Sequence, residues 1–218
     1  MLLGKCVNFS TFILAHFLSQ FDREFYFSLL LFIIPFFGGL NKVHAQKIKA
    51  TSFPIKDVQL LNSAFLNAKK LDSGYILSLS PNRLLHRFHK YAGLPVKDSV
   101  YGGWESDGLS GHTLGLYLSA SSMMYSTTRN KAFKTNVDYI VSELAICQNA
   151  RKTGYVGAIP NEDTVWAKIR RSEIKSSGFD LNGSWSPWYT VHKVMAGLMD
   201  AYYFTENKQA LEVATKLA

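Results

Sequence analysis

YGGWESDGLSGHTLGLY, residues 101–117, decides how the fold is read. Gly102 and Gly103 make a turn ahead of an aromatic and an acid, Trp104 and Glu105. A second pair, Gly108 and Gly111, leads into a helix whose first turn carries His112. Glycine reaches backbone geometries and close approaches that other residues resist. The stretch therefore reads as a loop gathering Trp, Glu, Asp and His at the mouth of a helix. Such a mouth suits a polar, ring-shaped ligand. The same residues would also serve a plain helix entry with a packed Trp and a capping His, and by themselves they leave both readings open.

Working outward, Ser110–Thr127 reads as a long helix. Leu114, Leu118, Ser121 and Tyr125 share one face, while Gly111, Gly115, Ser119 and Ser122 make a small-residue face that lets another helix approach closely. Phe133, Val137, Ile140, Val141 and Leu144 mark the next helix at i, i+4, i+7, i+8 and i+11. Asn130-Lys131 joins the two as an antiparallel hairpin. Upstream, Gln46–Pro54 reads as an extended arm. Leu61, Phe65, Ala68, Leu71 and Tyr75 then fall near a 3.6 spacing, which predicts a helix over Asn62–Leu79 with one buried face. Ser80-Pro81-Asn82 starts a short helix, Arg83–Lys90. Its His86 and His89 lie at i,i+3 with no third ligand nearby for zinc, so they read as surface histidines.

Downstream, Asn149–Tyr189 is long and irregular, and such loops in compact domains are functional or disordered. Trp166, Phe179, Trp185, Trp188 and Tyr189 argue for a packed loop that lines a cavity. A fourth helix begins near Tyr189 and carries His192, with Val191, Met195, Leu198 and Tyr202 as its core stripe. A last helix, from Gln209, carries Leu211, Ala214 and Leu217. Tyr125-Ser-Thr-Thr128-Arg-Asn130-Lys131 is answered by Tyr202-Tyr-Phe-Thr205-Glu-Asn207-Lys208. Each set closes one helix and opens the next, after a Gly- and Trp-rich loop and a His in the first turns. Repeated helix hairpins with loops gathered at one end point to an all-α fold, part of an (α/α)6 barrel or toroid. An incomplete set cannot bury its faces alone, so the helix running out at Ala218 is read as the truncated edge of something longer.

An apolar fraction of 47% allows a real core. The formal net charge of +8 is scattered, with its densest run, Lys168–Arg171, flanked by acids. This is a solvated surface, and no nucleic-acid partner is expected. Of the two cysteines, Cys6 lies in the leader. Cys147, in helical register with Val137–Leu144, reads as a buried thiol. Phe25–Leu40 is a strongly apolar run of 16 residues, short of the ~20 that span a bilayer as a helix. Val43-His44-Ala45 then fits a cleavage site. Residues 1–45 are therefore read as a secretory leader, placing the mature chain in the periplasm, at the cell surface or outside. Asp22 and Glu24 leave two alternatives, a start downstream of Met1 or an uncleaved anchor, the latter giving the only membrane contact. Oligomeric state is not legible.

YGGWESDGLSGHTLGLYLSA (101–120), VDYIVSELAICQ (137–148), GYVGAIP (154–160) and GFDLNGSWSPWYTVHKVMAGLMDAY (178–202) resemble, in order, the amino-terminal part of glycoside hydrolase family 127. The type activity there is β-L-arabinofuranosidase, and the likeness runs from about Phe53 to the end. It implies that residues 46–218 are the first portion of an (α/α)6 catalytic barrel, followed in the family by β-sandwich domains. It implies a retaining mechanism with a cysteine nucleophile, a glutamate acid/base, and zinc held by a glutamate and cysteines. No block here matches those residues. No catalytic or metal residue is carried over, and zinc is expected of the full-length domain and not of this segment.

What the resemblance does carry over is a sugar grip. His112, in GHTLG, and His192, in WYTVHK, match histidines expected to hydrogen-bond furanose hydroxyls, with Trp104, Glu105 and Trp188 beside them. Imidazole both donates and accepts, as hydroxyls do. Many relatives read GHTLGHYLSA, with histidine where this chain has Leu116, which bears on substrate range. The expected function is thus an exported glycosidase acting on terminal L-arabinofuranose of plant-type glycans, with carbohydrate as partner. The alternatives are a non-catalytic sugar-binding remnant or another α/α-toroid protein acting on polysaccharides.

Overall fold

The computed structural model describes residues 50–218. The leader expected over residues 1–45 lies outside them. Residues 50–54 are irregular, and a single 3-10 turn follows at Ile55–Asp57. Eight α-helices make up most of the rest: α1 (Ala64–Ser78), α2 (Pro81–Tyr91), α3 (Trp104–Asp107), α4 (His112–Thr128), α5 (Lys131–Arg151), α6 (Glu162–Arg170), α7 (Pro187–Thr205) and α8 (Lys208–Leu217). Two-residue strands β1 (Ser176–Ser177), β2 (Asp180–Leu181) and β3 (Ser184–Trp185) form an antiparallel meander between α6 and α7. None of the described helices is long and apolar enough to cross a membrane.

The repeated turn sequence folds the same way twice. Arg129 and Glu206 take left-handed φ values of 58° and 61° and return their N–H groups to the Tyr125 and Tyr202 carbonyls. Asn130 and Asn207 follow, and their side-chain oxygens cap the next helix by accepting from Ala132 and Ala210 N–H. A side-chain cap of this kind stabilises a helix by about 1 kcal/mol. So α4–α5 and α7–α8 are equivalent hairpins, built by one turn chemistry.

The hairpins meet through α4 and α7, the most extensive helix contact in the fold. These helices run in the same direction. The His112 ring lies 6.1 Å from that of Tyr189 at one end, while Ser126, Arg129, Tyr203 and Glu206 line a shared cavity at the other. The small-residue face of α4 finds its partner here. A Cβ on Gly115 would stand 2.1 Å from the Lys193 carbonyl oxygen, and one on Gly197 would stand 2.4 Å from the Gly115 oxygen. Only a glycine pair lets the two backbones come this close.

Behind the seam lies the core. Phe133, Val137, Ile140, Val141 and Leu144 of α5 are all fully buried, as the periodicity predicts. Val137, Ile140, Val141 and Leu144 share one cluster with Leu84, Leu85 and Phe88 of α2, Leu114 and Leu118 of α4, and Leu198 of α7. Burial of each such side chain stabilises by about 1.5–3 kcal/mol.

Four expectations need correction. The helix over Asn62–Leu79 forms, as Ala64–Ser78, but its apolar face is not buried: Leu61, Phe65, Leu71 and Tyr75 are 81, 76, 75 and 65% exposed. The helix docks on the core through Ile76 and, past its end, Leu79. The buried stripe of α7 is rotated from the one expected. It runs Thr190, Val194, Gly197, Leu198, Ala201 and Thr205, because closest approach to Gly115, and not maximal apolarity, sets the facing side. Asn149–Tyr189 is less irregular than expected, since α5 runs on to Arg151 and the stretch then holds α6 and the meander. Finally, His89 is no surface histidine. It is 2% exposed, with Nε2 2.7 Å from Glu143 Oε2.

Candidate active site

The organising loop is fixed from behind by α2. The Arg83 guanidinium donates to the Ser99 and Val100 carbonyls, Arg87 to the Ser106 carbonyl, and the Tyr101 hydroxyl accepts from Ser80 N–H. Lys97 is tied to Glu143 at 2.8 Å, so the buried His89–Glu143 pair holds this loop too. Burial pushes the Glu143 carboxyl up, yet bonds from Lys97 and His89 outweigh it and leave the group below the usual carboxylate range.

The loop ends in α3, a single turn entered through Gly103 at φ 62°. From it Glu105 turns inward and caps α4. One carboxylate oxygen accepts from the Ser110 hydroxyl and from Gly111 N–H, both at 3.1 Å. The other accepts from Thr113 N–H at 3.1 Å and lies 3.2 Å from His112 Nδ1. Gly111, the N-cap, sits at φ 103° and has no side chain to cap with. The borrowed carboxylate satisfies the free N–H groups and complements the positive end of the helix dipole.

His112 is 6% exposed. Its Nδ1 donates to the Leu109 carbonyl at 2.5 Å, which fixes the ring and leaves Nε2 with only a 3.4 Å contact to the Thr113 hydroxyl. A cation at a helix N-terminus is disfavoured by the dipole. Here the Glu105 carboxylate prevails over that and over burial, raising the imidazole above its ordinary range. The same bonds hold Glu105 below its own range despite burial, which acts the other way.

Two aromatic rings stand beside this imidazole, and a third packs on one of them. Trp104 and Tyr189 each lie 6.1 Å from it, centroid to centroid. Trp185, on β3, meets Trp104 edge-on at 5.9 Å. Trp104, Trp185 and Tyr189 are 62, 37 and 42% exposed. The result is a buried, oriented imidazole under open aromatic walls. Chemically this can hydrogen-bond a hydroxyl through Nε2 and cover an apolar ring face.

The residues singled out in the sequence distribute unevenly. Trp104, Glu105 and His112 come together, with Glu105 behind the imidazole rather than open to solvent. Trp188 turns away from Tyr189 and packs on Trp166 at 4.8 Å. His192 stands one turn further along α7, exposed, with no hydrogen bond among the described residues. Tyr189 belongs beside His112 and Trp185 beside Trp104, where the sequence shows them only as cavity-lining aromatics.

A second group is legible in the sequence only through Trp166 and Trp188, as aromatics of a cavity-lining loop. Tyr155, Trp166 and Trp188 border a cavity of about 350 Å³ with Arg151 and Asp163. Buried Glu162 lies behind it, accepting from the Tyr155 hydroxyl and Ile159 N–H at 3.0 and 3.2 Å. Arg151 Nη1 lies 2.6 Å from Glu162 and acts on it as a nearby positive charge, while it also donates to the Tyr91 carbonyl. Burial pushes Glu162 up to about 7 against that pull. No charge pattern marked this pair, because its members lie on different elements and meet only in the fold.

Among the described residues, no three potential metal ligands of the His, Cys, Asp or Glu type converge. Cys147 is fully buried, and burial pushes its thiol up to about 12.

A family model described as the β-L-arabinofuranosidase, GH127 catalytic domain, matches residues 57–218. No curated protein matches the chain.

Proposed function

The chain belongs to the GH127 β-L-arabinofuranosidase catalytic-domain family, and from that premise we propose that it is the sugar-gripping part of an exported glycosidase releasing terminal β-L-arabinofuranose from plant-type glycans. Membership of a glycoside hydrolase family makes carbohydrate its substrate class. In this reading residues 1–45 are a leader and 46–218 the opening portion of an (α/α)6 barrel. The parallel α4 and α7, each followed by a returning helix through the same turn, support that arrangement. The retaining step, with its cysteine nucleophile, glutamate acid/base and zinc, falls to residues that nothing in this sequence matches, and no step is routed through them here.

The observation that carries the reading is the His112 site. Glu105 and the Leu109 carbonyl fix the ring so that Nε2 is the nitrogen left for a ligand. Exposed Trp104 and Tyr189 flank it. A furanoside has no charge to grip, only hydroxyls and an apolar face, and this set answers both. In this assignment His112, Trp104 and His192 touch the sugar, Glu105 positions His112, and Trp188, packed on Trp166, stands at the neighbouring cavity.

Tryptophan fluorescence of the chain, titrated with methyl β-L-arabinofuranoside, tests it. We expect a saturable change that is lost in His112→Ala and weakened in His192→Ala, with no turnover of an aryl β-L-arabinofuranoside by the 218-residue chain. A flat titration, or one indifferent to both substitutions, removes the assignment.

A further inference from the structure

Buried beside each other at the start of α4, Glu105 and His112 form a pair whose charge state decides what the imidazole can offer a ligand. We infer that His112 grips the sugar as an imidazolium, a donor through both ring nitrogens, and that the carboxylate of Glu105 holds it in that form. The sugar oxygen bound at Nε2 is then an acceptor at that contact, either the ring oxygen or a hydroxyl that gives its own proton elsewhere. The inference rests on the functional reading above and deepens it: the site selects for lone pairs, and its affinity depends on pH.

Charge balance carries it first. The Glu105 carboxylate is ringed by donors, the Ser110 hydroxyl and Gly111 N–H on one oxygen, Thr113 N–H and His112 Nδ1 on the other. Such a carboxyl is held ionised, because a protonated one would turn its own donor onto one of these. A buried carboxylate needs a counter-charge. Among the described residues no lysine or arginine pairs with it, and His112 Nδ1, at 3.2 Å, is the only ionisable nitrogen in contact. The dipole at the start of α4 supplies roughly half a unit of positive charge, which leaves the rest to the imidazole.

The second observation is which nitrogen titrates. Nδ1 faces two acceptors, the Leu109 carbonyl at 2.5 Å and the carboxylate, so it keeps its proton in either state of the ring. The proton that comes and goes is therefore the one on Nε2, the nitrogen turned to the ligand. The Thr113 hydroxyl stands 3.4 Å from Nε2, beyond the usual hydrogen-bond range, so that donor is not spent inside the protein. The other neighbours leave the balance in place. Trp104, on α3 with Glu105, carries no charge. On α7 the Tyr189 phenol faces the imidazole, and the Lys193 ammonium lies 5.3 Å over the Tyr189 ring. Lys193 opposes the charge on His112, while Glu105 acts on it in direct contact and raises the imidazole above its ordinary range.

NMR of the 218-residue chain with isotope-labelled histidine rings reads the charge directly, and His112→Gln assigns the signals. Nε2 should lose its proton at a midpoint above the ordinary imidazole value of about 6.5, with Nδ1 protonated throughout. Glu105→Gln should bring that midpoint back to about 6.5 or below. Titration with methyl β-L-arabinofuranoside, followed by tryptophan fluorescence, should show binding about tenfold weaker above the midpoint than below it, as a neutral bond replaces a charge-assisted one. Constant circular dichroism over the same pH range checks the fold. A midpoint at or below the ordinary value in the unaltered chain, or Nδ1 as the nitrogen that titrates, overturns the imidazolium whether or not sugar binds, and leaves the His112 grip intact. So does binding that is unchanged across a raised midpoint. A raised midpoint that Glu105→Gln abolishes, with no sugar bound at any pH, upholds the ion pair and removes the functional reading instead. Should Glu105→Gln fail to fold, the midpoint of the unaltered chain still decides.

Discussion

Two helices of this molecule, α5 and α1, carry apolar stripes of the same period and meet opposite fates. Every member of the α5 stripe is buried, and α2, α4, α7 and α8 pack around that helix. The α1 stripe faces outward, with Phe65 and Leu71 at 76 and 75% exposure. Periodicity tells which residues share a face, but burial is decided by whether another element arrives to cover it. Of that stripe only Tyr75 lines the neighbouring cavity of about 560 Å³, together with Val58, Leu60, Ile76 and Met123.

The largest expected effect is on a matched pair of truncations. Leu144→Ala in α5 should lower stability by about 2–5 kcal/mol, the transfer term plus a cavity in a closed core. Leu71→Ala in α1 should change it by less than about 0.5 kcal/mol, as for a surface position. Denaturant midpoints of the two variants measure this. Equal losses would mean that the α1 face is covered in solution, and the contrast between the helices would vanish.

Next in size is the seam on which α4 and α7 meet. Gly115→Ala would force a methyl group against the backbone of Lys193 and Val194, which cannot step aside as a flexible side chain would. The cost should be about 1–3 kcal/mol, as for overpacking. It should be accompanied by loss of sugar-induced fluorescence change, since His112 and Tyr189 stand on the two helices being pushed apart. A lowered melting temperature with binding intact would separate the seam from the site.

What could be read in advance follows the range of each interaction. The α5 stripe, the α4 start and the duplicated turn at Asn130 and Asn207 rest on neighbours in sequence, and the pattern announces them. The hairpin at Leu181–Ser184 is equally local: Asn182-Gly183 between short β-capable residues is a strong turn signal, although the stretch around it has no regular period. The rest was not local. His89 meets Glu143 54 residues away, and nothing in the short basic helix around it announces a buried partner. Which face of α7 turns inward depends on the single close contact at Gly115, so the apolar stripe through Val191 and Met195 misled. In the site, His112 and Trp104 were visible because one loop holds both. Tyr189 joins them only because two helices distant in sequence run side by side.

The smallest effect is also the most direct probe of α1. Gly74 lies inside that helix, and a Cβ built on it meets nothing within 4 Å. Glycine in a helix interior costs about 0.5–1 kcal/mol relative to alanine, because the unfolded chain has more freedom to lose. With open space around it, Gly74→Ala recovers that difference and brings no clash. It should therefore stabilise by about 0.5–1 kcal/mol, the opposite sign to the same substitution at Gly115. The comparison uses one chemical change in two helices, so propensity cancels and what remains is the neighbour. If Gly74→Ala instead destabilises, something is packed on α1 at this position, and its exposed stripe is then an interface already filled.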